Sequence, residues 1–347
     1  MRAKVIVGMS GGTDSTVAAY LLKTQGYEVI GVTLYLYDNV NSPRSCCTLD
    51  AINRARMMSI QLGIRHYTVD LREVFQDTII RFFVEGYGRG LTPNPCVLCN
   101  RIIKFEHLIE FADKVGAQWV ATGHYARIVN GRIVRPKDRR KDQTYFLALV
   151  KKDHLSRILF PLGDMEKYEV QALAKAKNLI PPNLLESQDI CFVDDGDYRK
   201  FLDRVLPKKP GRILDLEGRV LGTHPGTHYF TLGQRKGLGI PAGKPLYVVK
   251  IDAKSGDLVV GPKEALMKKR IRVGALNLHE ELRVGDRVEV MIRYMAKPAP
   301  ATVLDLQESE CAVEFDEPQW SPTPGQLAAF YRGDTLVGGG FILPEPS

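Results

Sequence analysis

The stretch Lys4-Val5-Ile6-Val7-Gly8-Met9-Ser10-Gly11-Gly12-Thr13-Asp14-Ser15 decides the fold of the first half of this chain. Residues 4–7 predict a short buried strand, and residues 16–23 predict a helix with Val17, Tyr20 and Leu21 on one face. A glycine-bearing turn between a strand and a helix points backbone N–H groups and the positive helix end at an anion. The stretch therefore predicts a binding site for the phosphates of a nucleotide.

The residues of this loop suit that purpose. Gly11 and Gly12 let the backbone approach a phosphate because they carry no Cβ atom. Ser10 and Ser15 can donate hydroxyl hydrogen bonds, and Asp14 can either cap the helix or help to hold Mg²⁺. The Gly-Lys-Ser/Thr ending of the common nucleoside triphosphatase loop is missing, so a different kind of phosphate loop is expected.

Strands and helices alternate through the first 200 residues. The predicted strands are 4–7, 28–34, 65–69 and 119–122, and the predicted helices are 16–23, 49–62, 74–85 and 102–115. This alternation predicts a Rossmann-like parallel sheet that is covered on both faces. Ligands of such sheets bind beyond the carboxyl ends of the strands, so we expect the Ser10 loop, Leu34 and Gly123 to meet at one edge.

The pattern changes after Pro207-Lys208-Lys209-Pro210. Residues 211–262 are rich in glycine and short alternating runs, and about six strand-like runs follow from residue 269, which is consistent with a small barrel. We predict an α/β fold in three parts: a domain built on the parallel sheet over residues 1–206, a β-rich central domain over 207–268, and a C-terminal β-barrel over 269–347.

The composition is that of a globular protein, with 347 residues of which 44% are hydrophobic. No signal peptide is recognisable and no run approaches the ~20 apolar residues of a membrane span, so we expect a cytoplasmic protein without a membrane partner. The net charge of +8 favours a polyanionic partner. A basic segment at 132–141 is either part of a nucleic-acid surface or a solvated loop; its cations are Arg132, Arg135, Lys137, Arg139, Arg140 and Lys141.

The cysteines form the second strong signal. In Pro93-Asn94-Pro95-Cys96-Val97-Leu98-Cys99 the prolines predict a shaped loop, followed by a helix from about residue 101. Cys99 is then close to a helix N-terminus, which favours a reactive thiolate. Cys191 is a third candidate, whereas Cys311 is expected in the core and Cys46 and Cys47 in packing or loop positions. A structural zinc site is an alternative, but it needs a fourth ligand.

Several motifs, in order, resemble those of the bacterial tRNA-specific 2-thiouridylases over nearly the full length of the chain. They are Gly8 to Ser15, Thr92 to Pro95 with Cys99-Asn100 and Lys104-Phe105, Ala121 to Tyr125, Lys141 to Leu147, Ser187-Gln188 with Ile190 to Phe192, His228 to Gly239, and Thr323 to Gln326. The resemblance implies that residues 1–206 are an ATP-pyrophosphatase catalytic domain and that the central domain, 207–268, contacts tRNA. It also implies ATP-dependent 2-thiolation of the wobble uridine of tRNA. ATP, with Mg²⁺, adenylates the C2 carbonyl oxygen, and sulfur then replaces it with release of AMP and pyrophosphate.

The resemblance also implies roles for individual residues. Cys99 matches the catalytic nucleophile and Cys191 the cysteine that carries a persulfide, supplied by a cysteine desulfurase or a persulfide carrier. The ATP-binding positions are Gly8, Met9, Ser10, Gly11, Gly12, Thr13, Asp14, Ser15, Leu34 and Gly123. Asn94, Pro95 and Cys96 match the stretch that contacts the target base. The tRNA-contacting positions are His124, Lys141, Asp142, Gln143, Arg293, Tyr294 and Gln326.

One departure bears on how sulfur is delivered. Members of the persulfide type carry Asp where this chain has Cys96, and three thiolates at 96, 99 and 191 suit a [4Fe–4S] cluster with one open iron. Cluster-dependent delivery, a pure persulfide relay and zinc therefore remain alternatives. Two other classes compete with the thiolase: a small-molecule ligase or amidotransferase with the same loop, which needs neither Cys99 nor Cys191, and an RNA-binding protein with a vestigial nucleotide site.

Overall fold

The computed structural model describes residues 2–37, 49–179, 190–193, 196–241 and 243–345. Its first layer is a five-stranded, all-parallel sheet, as the alternation of strands and helices predicts. In sheet order the strands are Arg65–Asp70, Glu28–Tyr35, Lys4–Gly8, Trp119–Ala121 and Ile158–Leu159, of which the last was not predicted. The middle of the central strand is fully buried, because Val5, Ile6 and Val7 are all 0% exposed. Cys46, Cys47 and the Ser187-Gln188 motif lie outside the described residues.

The helices Thr13–Thr24, Leu49–Leu62 and His107–Lys114 pack on this sheet. Further helices of this part of the chain are Arg72–Phe75, Arg81–Gly88, Lys167–Ala176 and Tyr198–Leu202. The predicted single helix over 74–85 is a helical stretch from Arg72 to Gly88 that widens to π-type geometry over residues 76–80. The phosphate loop thus connects the central strand directly to the first helix, as the sequence predicts.

The prediction of a loop around the cysteines is wrong. Pro95–Cys99 is a helix that continues through a π-type stretch at 100–106 into His107–Lys114. Pro95 occupies its first turn, where a missing N–H costs nothing and the fixed φ angle favours a helix. Cys96 therefore lies near the helix start, while Cys99 is one turn further along and not at the N-terminus.

The central part of the chain contains a second, four-stranded sheet. Its strands, in sheet order, are Tyr247–Asp252, Asp257–Gly261, Gly211–Leu214 and Val220–His224. They enclose a small core of Ile213, Phe230, Val248, Leu258 and Val260. The predicted β-rich character of this region is confirmed.

The predicted barrel of six strands is also confirmed. In sheet order they are Met267–Leu278, Glu310–Trp320, Ala299–Leu306, Arg287–Met291, Leu327–Arg332 and Thr335–Ile342, and the first pairs with the last to close the barrel. The hairpin Arg127–Val129 and Arg132–Val134, from the α/β part of the chain, extends this sheet through Thr335 and Val134. The boundaries near residues 207 and 268 remain predictions.

A second contact joins the barrel to residues 92–94, which precede the helix that begins at Pro95 and carries Cys96 and Cys99. We call this helix the cysteine helix. Thr92 N donates to Pro324 O at 2.9 Å, Asn94 N donates to Gly325 O at 3.3 Å, and Gln326 Nε2 donates to Thr92 O at 2.9 Å. We call Pro324–Gln326 the clasp. Gly325 has φ +92°, a conformation that favours glycine. A Cβ atom at this position would also lie 3.0 Å from the backbone carbon of Thr92. The clasp thus fixes the start of the cysteine helix from the barrel side.

Candidate functional site

A cavity of about 730 Å³ opens at the carboxyl edge of the parallel sheet. It gathers most of the predicted site residues: Gly8, Met9, Ser10, Gly11, Gly12, Thr13, Asp14, Ser15, Leu34, Pro95, Cys96, Cys99, Gly123, His124, Lys141, Gln143, Cys191 and Tyr294. The expected meeting of the Ser10 loop, Leu34 and Gly123 is therefore present in the structure. Asn94, Asp142, Arg293 and Gln326 are not among the lining residues.

The phosphate loop is shaped by its own side chains and by a close neighbour. Ser10 N donates to Ser15 Oγ at 3.2 Å, and Ser15 Oγ donates to Gly12 O at 3.2 Å. Gly11 has φ +70°, and a Cβ atom there would collide with the carbonyl oxygen of Ala51. The loop therefore needs glycine at position 11 for its conformation as well as for space.

Asp14 does not cap the first helix, which begins after Gly12 without a side-chain cap. Its carboxylate accepts hydrogen bonds from Lys167 Nζ at 2.8 and 2.9 Å and from Tyr125 Oη at 3.1 Å. Lys167 is buried, and its backbone N–H donates to Asp138 Oδ2 at 3.1 Å. Sequence reasoning missed Lys167, because it lies 153 residues from Asp14 and in no recognisable motif.

The cavity is strongly cationic. The lining residues that the structure describes include one acidic residue, Asp14, and five basic ones: Arg54, Lys104, Arg140, Lys141 and Lys167. Arg54 lies beside the phosphate loop, with its Cβ 3.1 Å from the position a Cβ of Gly11 would take, and its buried Nε has no hydrogen-bond partner among the described residues. A polyanion such as a nucleoside triphosphate is the ligand that this charge distribution favours.

The cysteines approach the cavity from two elements. Cys99 is 9% exposed and belongs to an apolar cluster with Phe75 and Phe192, and Cys191 packs against the same cluster. Cys96 lines the cavity one helical turn before Asn100, whose Nδ2 donates to Cys96 O at 3.1 Å. The fold thus brings Cys99 and Cys191 to one wall of the cavity although they are far apart in sequence.

The described residues do not bring these thiols into a metal site. Within residues 2–37, 49–179, 190–193, 196–241 and 243–345, no three His, Cys, Asp or Glu side chains are grouped so as to hold a metal ion. The ligand set of a [4Fe–4S] cluster or of zinc is therefore not assembled in this part of the chain, and no chemical step is written through such a group.

His124 is buried, with Nδ1 2.7 Å from Thr122 Oγ1. Burial, aided by the positive charge of Lys104, holds the pKa of His124 well below its ordinary value. The imidazole is therefore neutral at physiological pH and acts through hydrogen bonding and shape rather than charge. Gln143, also on the lining, accepts from Tyr125 N at 2.9 Å through its Oε1.

The four predicted tRNA-site residues outside the lining make contacts within the protein. Asp142 is buried and accepts from Thr144 N and Oγ1 at 2.9 and 2.6 Å. Asn94 and Gln326 take part in the clasp contact described above. Arg293 donates to Ser321 O at 3.5 Å and lies 5.4 Å from the ring centre of Trp320. Contacts of these residues with tRNA remain predictions.

Much of the basic segment at 132–141 forms ion pairs within the protein, so it is less available to bind a polyanion than its composition suggests. Arg132 pairs with Glu280 at 2.9 Å, Lys137 with Glu169 at 3.2 Å, and Arg139 with Asp334 at 2.5 Å. Two of these carboxylates belong to the barrel part of the chain, so much of the positive charge is used in joining the hairpin to the barrel. Arg140 and Lys141 are the members of the segment that reach the cavity lining.

These features define a class. A parallel sheet with a glycine-rich phosphate loop, a cationic cavity at its carboxyl edge and two cysteines on one wall is the architecture of a nucleotide-dependent enzyme with thiol chemistry. Family models match consecutive parts of the chain: the tRNA methyl transferase HUP domain over residues 3–195, the tRNA methyl transferase PRC-barrel domain over 199–262, and the aminomethyltransferase beta-barrel domain over 268–342.

Relatives that match almost the whole chain show the family to which it belongs. The tRNA-specific 2-thiouridylase MnmA of Pelotomaculum thermopropionicum is 44% identical over 355 residues, which cover 98% of this chain and 97% of that protein. MnmA of Carboxydothermus hydrogenoformans is 45% identical over 360 residues, covering 98% of each chain. The chain belongs to the family of tRNA-specific 2-thiouridylases, which are sulfurtransferases.

Solved structures are more distant. The U34-tRNA thiolase NcsA of Methanococcus maripaludis, with its [4Fe–4S] cluster, is 21% identical with a TM-score of 0.37, covering 59% of this chain and 65% of that one. A 4-thiouridine synthetase in complex with RNA and ATP is 17% identical with a TM-score of 0.37, covering 58% and 50%. Likeness at this level carries no argument about function.

Proposed function

We propose that this chain catalyses the ATP-dependent 2-thiolation of the wobble uridine of tRNA in the cytoplasm. The observation that carries the proposal is that the phosphate loop and the two cysteines, Cys99 and Cys191, line the same cavity. In the described residues no helix is long and apolar enough to cross a membrane. The family membership, at 44–45% identity over 98% of the chain, supports the same reaction.

The first half of the reaction uses the loop end of the cavity. ATP binds with its phosphates on the backbone N–H groups of the loop and near Lys167 and Arg54. The C2 carbonyl oxygen of the uridine attacks the α phosphorus, pyrophosphate leaves, and the base carries AMP on that oxygen. Positive charge near the leaving pyrophosphate stabilises the transition state. Asp14, the one carboxylate among the described lining residues, would help to hold Mg²⁺, which would neutralise phosphate charge.

The second half uses the cysteine wall. A persulfide on Cys191, supplied by a cysteine desulfurase or another persulfide carrier, provides the sulfur. The Cys99 thiolate attacks the inner sulfur of Cys191, a Cys99–Cys191 disulfide forms and hydrosulfide is released. Hydrosulfide adds to C2, AMP leaves, and an external dithiol reduces the disulfide. The shared apolar cluster of Cys99 and Cys191 supports such a pairing, because it holds both residues on one wall.

A reconstitution with three cysteine variants tests the proposal. The wild-type chain, ATP, Mg²⁺, unmodified tRNA and a persulfide donor are expected to yield 2-thiouridine and one AMP per product. Cys99→Ser and Cys191→Ser are expected to abolish thiolation. Cys311→Ala is the matched control, because Cys311 is buried in the barrel core, where burial raises the pKa of its thiol to about 12.

The rival functions predict different results. A small-molecule ligase would keep its ATP turnover in both serine variants, and an RNA-binding protein would bind tRNA without releasing AMP.

Cys96→Asp addresses the delivery of sulfur, since it removes a thiol that a persulfide relay does not use. A relay keeps its rate in this variant, whereas a cluster-dependent enzyme loses both iron and activity when purified without oxygen.

A further inference from the structure

The loop between the barrel strands Arg287–Met291 and Ala299–Leu306 extends to the mouth of the cavity. Ala296 N donates to Arg293 O at 3.1 Å, so residues 293–296 form a β-turn. Met295 is its third residue and has φ +62°. That place and φ angle usually belong to glycine or asparagine, because other side chains are strained there. A methionine in this position calls for a reason beyond the geometry of the turn.

The side chain of Met295 is directed to the cavity but is poorly covered by protein. It is 60% exposed while it lines the cavity beside Tyr294. A large apolar side chain with so much exposed surface contributes little to folding. The strain and the exposure together indicate that Met295 is retained for a contact outside the chain.

The residues around Met295 are held firmly. Tyr294 packs on Phe146, with ring centres 4.4 Å apart, and also lies 6.1 Å from the ring of Tyr145. Arg293 is anchored on Ser321 and Trp320, as described above. The turn therefore presents Met295 from a fixed base.

Charge around the turn indicates the kind of ligand. Arg293, Met295 and Lys297 are all exposed, so the exposed apolar side chain is flanked in the sequence by two cations. Arg140 and Lys141 add further positive charge to the cavity lining. Cations beside an apolar surface suit single-stranded nucleic acid, whose phosphates and base faces they contact together.

We propose that Met295 is a positioning residue that acts as a wedge in the anticodon loop. The proposal rests on the proposed thiolation of the wobble uridine. When that uridine leaves the base stack and enters the cavity, the methionine side chain takes the space it leaves and packs on the next base. Proteins that unstack nucleic acids insert apolar side chains in this way. The extruded base is then kept in the cavity by the loss of its stacking position.

Three substitutions distinguish the effect of the Met295 side chain from the effect of the strained backbone. Met295→Ala removes the side chain and keeps the strain, Met295→Gly removes both, and Met295→Leu keeps an apolar side chain of similar size. The probe is an anticodon stem–loop RNA with 2-aminopurine on the 3′ side of the target uridine, whose fluorescence changes when its stacking changes. Single-turnover thiolation of unlabelled tRNA at saturating concentration is the second readout.

The wild-type chain and Met295→Leu are expected to change the fluorescence alike, and their thiolation rates should agree within about threefold. Met295→Ala and Met295→Gly are expected to lose the fluorescence change and to thiolate about tenfold to a hundredfold more slowly, because the apolar contact that keeps the base unstacked is lost. Met295→Gly should also melt no lower than the wild type, because glycine accepts φ +62°. A slow but stable glycine variant cannot be explained by misfolding.

Wild-type behaviour of Met295→Ala and Met295→Gly in both readouts would overturn the wedge, as would a leucine variant as defective as alanine. These failures differ from a failure of the proposed function, in which the wild-type chain forms no 2-thiouridine. The fluorescence comparison needs no turnover, so it decides the role of Met295 in that case too.

Discussion

Replacing Gly123 by alanine tests how tightly the cavity is built. A Cβ atom at this position would lie 2.7 Å from Asp14 C and 2.7 Å from Ser15 N, which belong to the backbone of the phosphate loop and first helix. Ordinary contact begins near 3.4 Å, so one of the two segments must move by about 0.7 Å. Backbone atoms cannot rotate away as a side chain would, and the loop itself must therefore shift.

The expected consequence is a weaker nucleotide site in a folded protein. Overpacking of this kind costs about 1–3 kcal/mol of the free energy of unfolding. A shift of this size exceeds the roughly 0.5 Å within which the groups of a binding site must be held, so we expect the affinity for ATP to fall about tenfold to a hundredfold. Calorimetric titration with ATP measures the affinity, and urea unfolding measures the stability.

Gly243→Ala is the matched control, because no atom of the part of the chain that the structure describes lies within 4 Å of a Cβ atom there. It should leave both the ATP affinity and the stability near the wild-type values. If Gly123→Ala binds ATP as tightly as the wild-type chain, the reasoning from close approach is refuted. In that case Gly123 would matter for another reason, or not at all.

Three further changes test other parts of the structure. Lys167→Met should slow the release of AMP at least tenfold in single-turnover assays, since it removes the cation on Asp14, and Lys167→Arg should restore part of the rate; equal rates in all three chains would exclude this role. Burial lowers the pKa of His279, so the unfolded chain takes up a proton first and stability must fall as the pH drops from 7 toward 5. Urea titrations should show a shallower fall in His279→Gln, by up to about 1.4 kcal/mol per pH unit, and an unchanged slope would contradict the assignment. Gln326→Ala loses the bond to Thr92, so it should lower stability by about 1 kcal/mol and reduce thiolation while ATP affinity, measured by titration, stays unchanged.

Local patterns predicted the parallel sheet, the phosphate loop and the six barrel strands, because hydrophobic periodicity and glycine placement report directly on local structure. The cysteine segment was misjudged for a reason that is also local. Proline breaks a helix in its interior but favours one at the first position, and Pro95 is in that first position. The pattern of residues does not by itself show whether Pro95 begins a helix or excludes one.

Other parts of the site depend on the tertiary fold and have no local signal. Lys167 reaches Asp14 across 153 residues, and the hairpin that contains Arg132 joins a sheet from the far end of the chain. Gln326 was expected at tRNA through resemblance, yet its amide donates to Thr92 in the clasp. Residues of this kind are found only when the path of the chain is known.

The clasp also has a consequence for how the molecule is made. Pro324 is 225 residues (324 − 99) after Cys99, and a ribosome adds about 5–20 residues per second, so roughly 10–45 s separate the two during synthesis. Throughout that interval the nascent chain can hold a finished phosphate loop while the start of the cysteine helix lacks its anchor. The cavity wall that Tyr294 and Met295 provide is missing for most of the same period. The complete cavity, with its anchored cysteine helix, can therefore form only after the barrel residues up to the clasp have been synthesised.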